Sequence, residues 1–246
     1  MDGIQMKYIC NFSHAEKPVL ARICAGGKGI MPKLNRKSLR RKAADFARHI
    51  SGQKFPELYG VTDGKKIATW FEDKFLGWLE AEGYTFSRNG ATLGIDLPEL
   101  KVDIKLTKAD KPQSSLPFKS PMQKIFGLGY ALLVFYYKKD DDRRSRTGSL
   151  NIADTWFVDN RRTADHTTTT HLKELVAAGG TKGDIVRFLR EQKIPATAAE
   201  LQKMAGRILA SPPAVGHIGV SNALQWRAHY GRLSSTGVGE SGVWRL

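Results

Sequence analysis

The chain has 246 residues, with 39 Lys and Arg against 24 Asp and Glu, a formal charge of +15, and a composition that is 41% hydrophobic and 26% charged. That length buries a full core without disulfide or metal staples, and the balance is globular and strongly basic, which excludes a disordered chain and favours a polyanionic partner, nucleic acid or an acidic membrane face. The longest apolar run, Tyr130 to Tyr137, is strand-sized and far short of the roughly 20 residues of a spanning helix, so nucleic acid is the expected partner and no membrane is.

The first thirty residues are poorly patterned. Neither a signal peptide nor a lipidation box is found, so a cytoplasmic protein is expected. Cys10, His14 and Cys24 match no zinc spacing and read as two reduced thiols and a bystander. Gly26-Gly27-Lys28-Gly29 lacks the outer Gly and the Ser/Thr of a phosphate-binding loop. From Lys17 to Arg41 no acid occurs, and Lys33, Arg36, Lys37, Arg40, Arg41 and Lys42 crowd the entry to a helix expected at Lys37 to Ile50. This is either a phosphate-contacting arm or a solvated basic face. Met31, just before it, is an alternative start.

Asp63-Gly64 opens a second helix, in which Ile67, Phe71, Phe75, Trp78 and Leu79 recur at three and four residues and Glu72 lies beside the apolar face. Past Gly83, strands are expected at Thr92 to Leu97, Lys101 to Thr107, Tyr130 to Tyr137 and Leu150 to Val158, forming one sheet. Ser120-Pro121-Met122-Gln123 starts a short helix with a capping box, ending near Gly127. Asp140 to Arg146 reads as a mobile hairpin tip near DNA. Further helices are expected at Leu172 to Ala178, Asp184 to Gln192, Ala198 to Leu209 and Asn222 to Arg232, with His166 to His171 as a loop. The fold class is α/β (α+β): a mixed central sheet flanked by helices. Three regions are expected: a basic arm and helix over 1–55, a catalytic core over 56–160, and a helical, DNA-contacting subdomain over 161–246.

The informative stretch is Asp96-Leu97-Pro98-Glu99-Leu100-Lys101-Val102-Asp103-Ile104-Lys105. Alternation on a strand turns Val102 and Ile104 to the core and puts Asp103 and Lys105 together on the other face. A bend at Pro98 brings Asp96 beside Asp103. Two neighbouring carboxylates repel unless a cation sits between them, and a hard divalent ion such as Mg²⁺ takes oxygen ligands and stabilises charge on a phosphodiester. Lys105 would orient or activate the attacking water and steady that charge, and Glu72 could supply a third carboxylate.

With Glu72 on a preceding helix, this constellation resembles the PD-(D/E)xK nuclease superfamily, and within it the type II restriction endonucleases. The wording Gly64 to Glu72, Gly94 to Leu100, Pro112 to Phe118, Gln123 to Tyr130 and Ser221 to Arg227 is similar to a group of bacterial restriction enzymes over roughly residues 59 to 232. Asp96 preceded by Ile, and an Asp at 103 where Glu is commoner, depart from the usual motif. The resemblance implies a restriction-endonuclease-like core in which Asp96 and Asp103, with the Ile104 carbonyl, hold Mg²⁺. Lys105 is then the catalytic lysine, and Glu72 supports the metal or orients Lys105. Gln123 and Lys124 would sit by the scissile phosphate, with Gln113, Ser114 and Ser115 also on the substrate side.

Trp226 and Tyr230 read as buried, while Gln225 and Arg227 either read base edges or touch phosphates. The expected activity is Mg²⁺-dependent, sequence-specific cleavage of double-stranded DNA by a homodimer, paired in its host with a protecting methyltransferase. The alternatives are a repair or nicking endonuclease with the same core, and a non-catalytic basic protein that coats nucleic acid.

Overall fold

The computed structural model describes residues 31–88, 94–116, 119–221, 227–235 and 241–246. The expectations on Cys10, His14, Cys24, Gly26 to Gly29, Gln225 and Trp226 lie outside the described residues. Of the strand expected at Thr92 to Leu97, Thr92 and Leu93 lie outside them too, and Gly94 to Leu97 form no strand but a bend that ends in a single bridge from Leu97 to Val102.

Helix α1 (Arg36–Ile50) begins at Asn35, whose side chain accepts the amides of Lys37 and Ser38 in a capping box, and it buries Leu39, Ala43, Phe46 and Ile50 along one stripe. A single 3₁₀ turn follows at Pro56–Leu58. Helix α2 (Gly64–Ala81) is capped by Asp63 and buries Ile67, Phe71, Phe75, Leu76 and Leu79. The chain then forms strands β1 (Val102–Lys108) and β2 (Gln113–Ser115), short helix α3 (Met122–Phe126), and the long strands β3 (Ala131–Asp142) and β4 (Thr147–Val158). Helices α4 (His166–Ala177), α5 (Lys182–Glu191) and α6 (Ala198–Ala210) come next, and the chain ends with β5 (Gly219–Val220), β6 (Arg227–His229), α7 (Gly231–Ser235) and β7 (Val243–Arg245).

The main sheet runs β1-β3-β4-β7, and a smaller sheet runs β2-β6-β5. β1 and β3 are parallel, whereas β4 is antiparallel to both β3 and β7, so the main sheet is mixed. Alternation along β3 explains the unbroken apolar run. Ala131, Leu133, Phe135 and Tyr137 share a core with α1 and α2, whereas Tyr130, Leu132, Val134 and Tyr136 share another with the small sheet. A strand covered on both faces has no polar side to alternate with. A third core ties α4, α5 and α6 to Ile125 of α3. Phe71 and Phe75 of α2 meet Phe135 edge-on, with ring centroids 4.8 and 5.5 Å apart. Each such pair adds about 0.5–1.5 kcal/mol beyond burial, which fixes α2, and Glu72 with it, against the sheet. Among the described residues no helix is long and apolar enough to cross a membrane.

Three further expectations change. Of the helix expected at Asn222 to Arg232, Arg227 to His229 are strand β6 and only Gly231 and Arg232 are helical, in α7: Ala228 is buried while Arg227 and His229 face out, and Ser115, Ser114 and Gln113 pair with the three in turn. Cross-strand pairing overrides the four-residue spacing of Trp226 and Tyr230. The Thr167 to Thr170 run is helical, because Asp165 caps α4 and its side chain accepts the Thr168 amide at 2.8 Å. Thr169 Oγ1 also donates to the Asp165 carbonyl, which offsets the poor helix propensity of threonine. Lastly, the β3–β4 tip is tied down by the Lys54–Asp142 ion pair at 2.8 Å and a two-way backbone pairing of Phe55 with Gly148. Asp142 lies ten residues beyond Leu132, the partner of Asp103, which is about 33 Å along the strand.

Candidate active site

Leu97 and Val102 exchange both backbone hydrogen bonds, at 3.0 and 3.2 Å, across a turn closed by the Lys101 amide on the Pro98 carbonyl. The bridge between them is antiparallel, so Asp96 stands opposite Asp103 as the bend at Pro98 leads one to expect. Asp96 Oδ2 accepts the Ile104 amide at 2.6 Å, which fixes its carboxylate beside β1. Lys101 takes the left-handed conformation (φ 51°). Arg36 braces this turn from outside: Nε donates to the Leu100 carbonyl at 2.9 Å and Nη2 to the Lys101 carbonyl at 3.4 Å, while Nη1 pairs with Asp159 at 3.1 Å. Lys33 holds Glu99 of the same turn at 2.7 Å. Two cations of the expected phosphate-contacting arm are therefore engaged with the turn, and a third, Arg40, stacks on Trp244 at 4.0 Å.

Asp103 is 1% exposed, and Lys105, on the same face of β1, brings Nζ to 2.8 Å from its Oδ2. Oδ2 is itself buried, and this ion pair supplies its partner. Burial pushes the Asp103 carboxyl up to about 7, against the pull of Lys105 and aided by Asp96. Glu72, half-buried on α2, is pushed up to about 7 by its own burial and then by Asp96, with Lys105 opposing. Glu72 and Asp103 therefore sit with Asp96 and one ammonium in a poorly solvated corner, where these two acids hold their protons more tightly unless another cation arrives. Among the described residues no three His, Cys, Asp or Glu side chains are grouped to hold a metal ion. Glu72, Asp96 and Asp103 are thus no ready-made cage. What fits a hard cation is the facing Asp96–Asp103 pair with the Ile104 carbonyl, a set that leaves room for waters.

The other expected site residues separate into two groups. Gln113, Ser114 and Ser115 form β2, where Ser115 pairs with Arg227 and both are exposed at the sheet edge. Ser114 turns inward, its Oγ 2.6 Å from Tyr230 Oη. Gln123 and Lys124 also point into the protein. The Gln123 carbonyl oxygen accepts the Lys119 and Ser120 amides and its Nε2 donates to the Leu128 carbonyl, but the reciprocal half of the expected capping box is absent: the helix starts one residue later, after Pro121, and Ser120 Oγ accepts the Met122 amide. Lys124, 4% exposed, donates to the Val220 carbonyl at 2.9 Å. Sequence reasoning missed Arg36 as a brace and Tyr130 as a neighbour of the acids. The first looks like surface charge and the second like one more aromatic in an apolar run.

A mixed sheet flanked by helices, with an acid and a lysine on its first strand and a second acid facing them, defines a restriction-endonuclease-like protein. The family model described as "Type II restriction enzyme NspV" matches residues 33–245. Over 206 residues the chain is 44% identical to the type II restriction enzyme NspV of Nostoc sp. (strain ATCC 29411 / PCC 7524), a stretch covering 84% of this chain and 93% of that protein. The chain belongs to the NspV family of type II restriction enzymes. It is a site-specific deoxyribonuclease with DNA as its substrate, which sets aside the coating-protein reading. The match begins upstream of α1, whereas the motif resemblance starts near residue 59. No solved structure matches the chain significantly.

Proposed function

We propose that this enzyme cuts both strands of its DNA site using Mg²⁺ held by Asp96, Asp103 and the Ile104 carbonyl. Bound there, the ion would supply Lewis-acid stabilisation of charge on the scissile phosphate. Lys105 orients the attacking water and offsets the charge that develops on the phosphate oxygens, from a position already fixed by its ion pair with Asp103. Glu72 orients Lys105 from the helix side. The observation that carries the reading is the buried Asp103 carboxylate, its Oδ2 paired with Lys105, facing Asp96 across a braced turn.

The exposed Ser115–Arg227 edge of the small sheet is the proposed DNA contact, with Gln225 and Gln113 beside it in sequence, and the region after residue 160 contributes to the same surface. Gln123 and Lys124 hold this region together from within. Cutting both strands of a symmetric site suits a homodimer, one active site per strand. A methyltransferase of the same specificity would protect the host, in whose cytoplasm the enzyme would act. Digestion of phage DNA in Mg²⁺, followed by sequencing of the ends, tests the reading: discrete fragments with uniform ends are expected. Nicked circles would favour single-strand cleavage, and a Mg²⁺-independent digest would rule out the metal.

A further inference from the structure

Asp103 has a second neighbour on its face of the sheet. β1 and β3 run parallel with Asp103 opposite Leu132, so Tyr130, two residues earlier, is the diagonal neighbour of Asp103. With strands about 4.8 Å apart and a rise of about 3.3 Å per residue, such neighbours lie about 8 Å apart at Cα, within reach of an aromatic side chain. The Tyr130 ring is 2% exposed, packed among Leu132, Val134 and Tyr230, yet its hydroxyl has no hydrogen-bond partner. The other two tyrosines of this core are satisfied. Tyr136 Oη donates to the Tyr230 carbonyl at 2.7 Å, and Tyr230 Oη bonds Ser114 at 2.6 Å. A buried hydroxyl without a partner is costly, and this one lies in the field of Asp103 and Asp96. An orphaned hydroxyl beside two facing carboxylates marks a place where the water of a hydrated ion would satisfy it.

We infer that Tyr130 is a positioning residue for the cleavage reaction, its hydroxyl bonding the hydration shell of the divalent cation held by Asp96 and Asp103. The inference rests on the metal reading proposed above. The hydroxyl fixes how the hydrated ion sits against Asp103 and contributes nothing to the fold without it.

Thermal melts of the intact protein without DNA, across a Mg²⁺ titration, test this with wild type, Tyr130→Phe and Asp103→Asn. Metal-free Tyr130→Phe is expected to melt at or above the wild-type temperature, since only an unsatisfied group is removed. Its Mg²⁺ midpoint should rise about 10-fold, the lower end of what outer-shell partners contribute. Asp103→Asn should lose the Mg²⁺ response. A wild-type Mg²⁺ midpoint in Tyr130→Phe, or a lower metal-free melting temperature, overturns the inference while leaving the metal reading intact. A wild-type protein that Mg²⁺ does not stabilise at all overturns both.

Discussion

Arg36 Nε donates to the Leu100 carbonyl at 2.9 Å, joining the first residue of α1 to the turn that sets Asp96 against Asp103. The same guanidinium reaches the Lys101 carbonyl and Asp159, so three pieces of chain distant in sequence meet at one side chain. A planar fork of donors suits such a junction better than an ammonium does.

Arg36→Ala should therefore cost about 1–3 kcal/mol in urea unfolding, as two carbonyls and a carboxylate lose a charged donor. Single-turnover cleavage should slow while DNA affinity stays near wild type. Arg36→Lys should recover only part of the rate. Unchanged stability and unchanged rate in Arg36→Ala would show that the turn stands unaided.

Asp103→Asn and Lys105→Ala should each reduce cleavage by at least about 10³-fold, the scale of losing one group that stabilises transition-state charge. Electrophoretic shifts in Ca²⁺ should show DNA still bound. Glu72→Gln should cost less, about 10- to 100-fold, because it acts through Lys105.

The metal-free protein should respond to pH through its acids. A carboxyl that burial raises to about 7 from an ordinary value of 3.8, as at Asp103, binds its proton more tightly folded than unfolded. Below about pH 4 both states are protonated and there is no cost; as pH rises from about 4 to 7 the folded state loses stability, and above 7 the loss levels off. Melts in EDTA should show Asp103→Asn gaining on wild type across that interval. Mg²⁺ binding displaces these protons, so the Mg²⁺ response of wild type should grow over the same range.

Lys124 and Arg227 should part company in salt titrations of DNA binding. Arg227→Ala is expected to lower the slope of log K against log salt by about 1, the mark of one lost phosphate contact. Lys124→Met should leave the slope unchanged and cost about 3 kcal/mol of stability, because it removes the buried cation that faces Asp165 and leaves the Val220 carbonyl without its donor.

The sequence is most legible where a local rule and the tertiary environment agree. Asp63 capping α2, the Ile67 to Leu79 stripe and the alternation of Val102, Asp103, Ile104 and Lys105 all read correctly because each is set within one turn or one strand. The Asp96–Asp103 opposition was legible too, since Pro98 leaves only a tight return. The β6 strand was not, because its partner β2 lies more than a hundred residues upstream and nothing local announces the pairing. Lys124 and Arg36 show the same limit for charge. Composition counts both as surface cations, but one is buried under Val220 and the other braces the catalytic turn, and only packing tells them apart from Arg227.

The brace at Arg36 also sets a lower bound on modularity. A fragment starting at residue 56 would carry every carboxylate and the lysine of the site. It would lack Arg36 along with Leu39, Ala43, Phe46 and Ile50, which belong to the core beneath β3. Such a fragment would keep the reagents of the reaction without the part that holds them in register, so grafting this nuclease onto another DNA-binding protein calls for a unit that begins before Asn35.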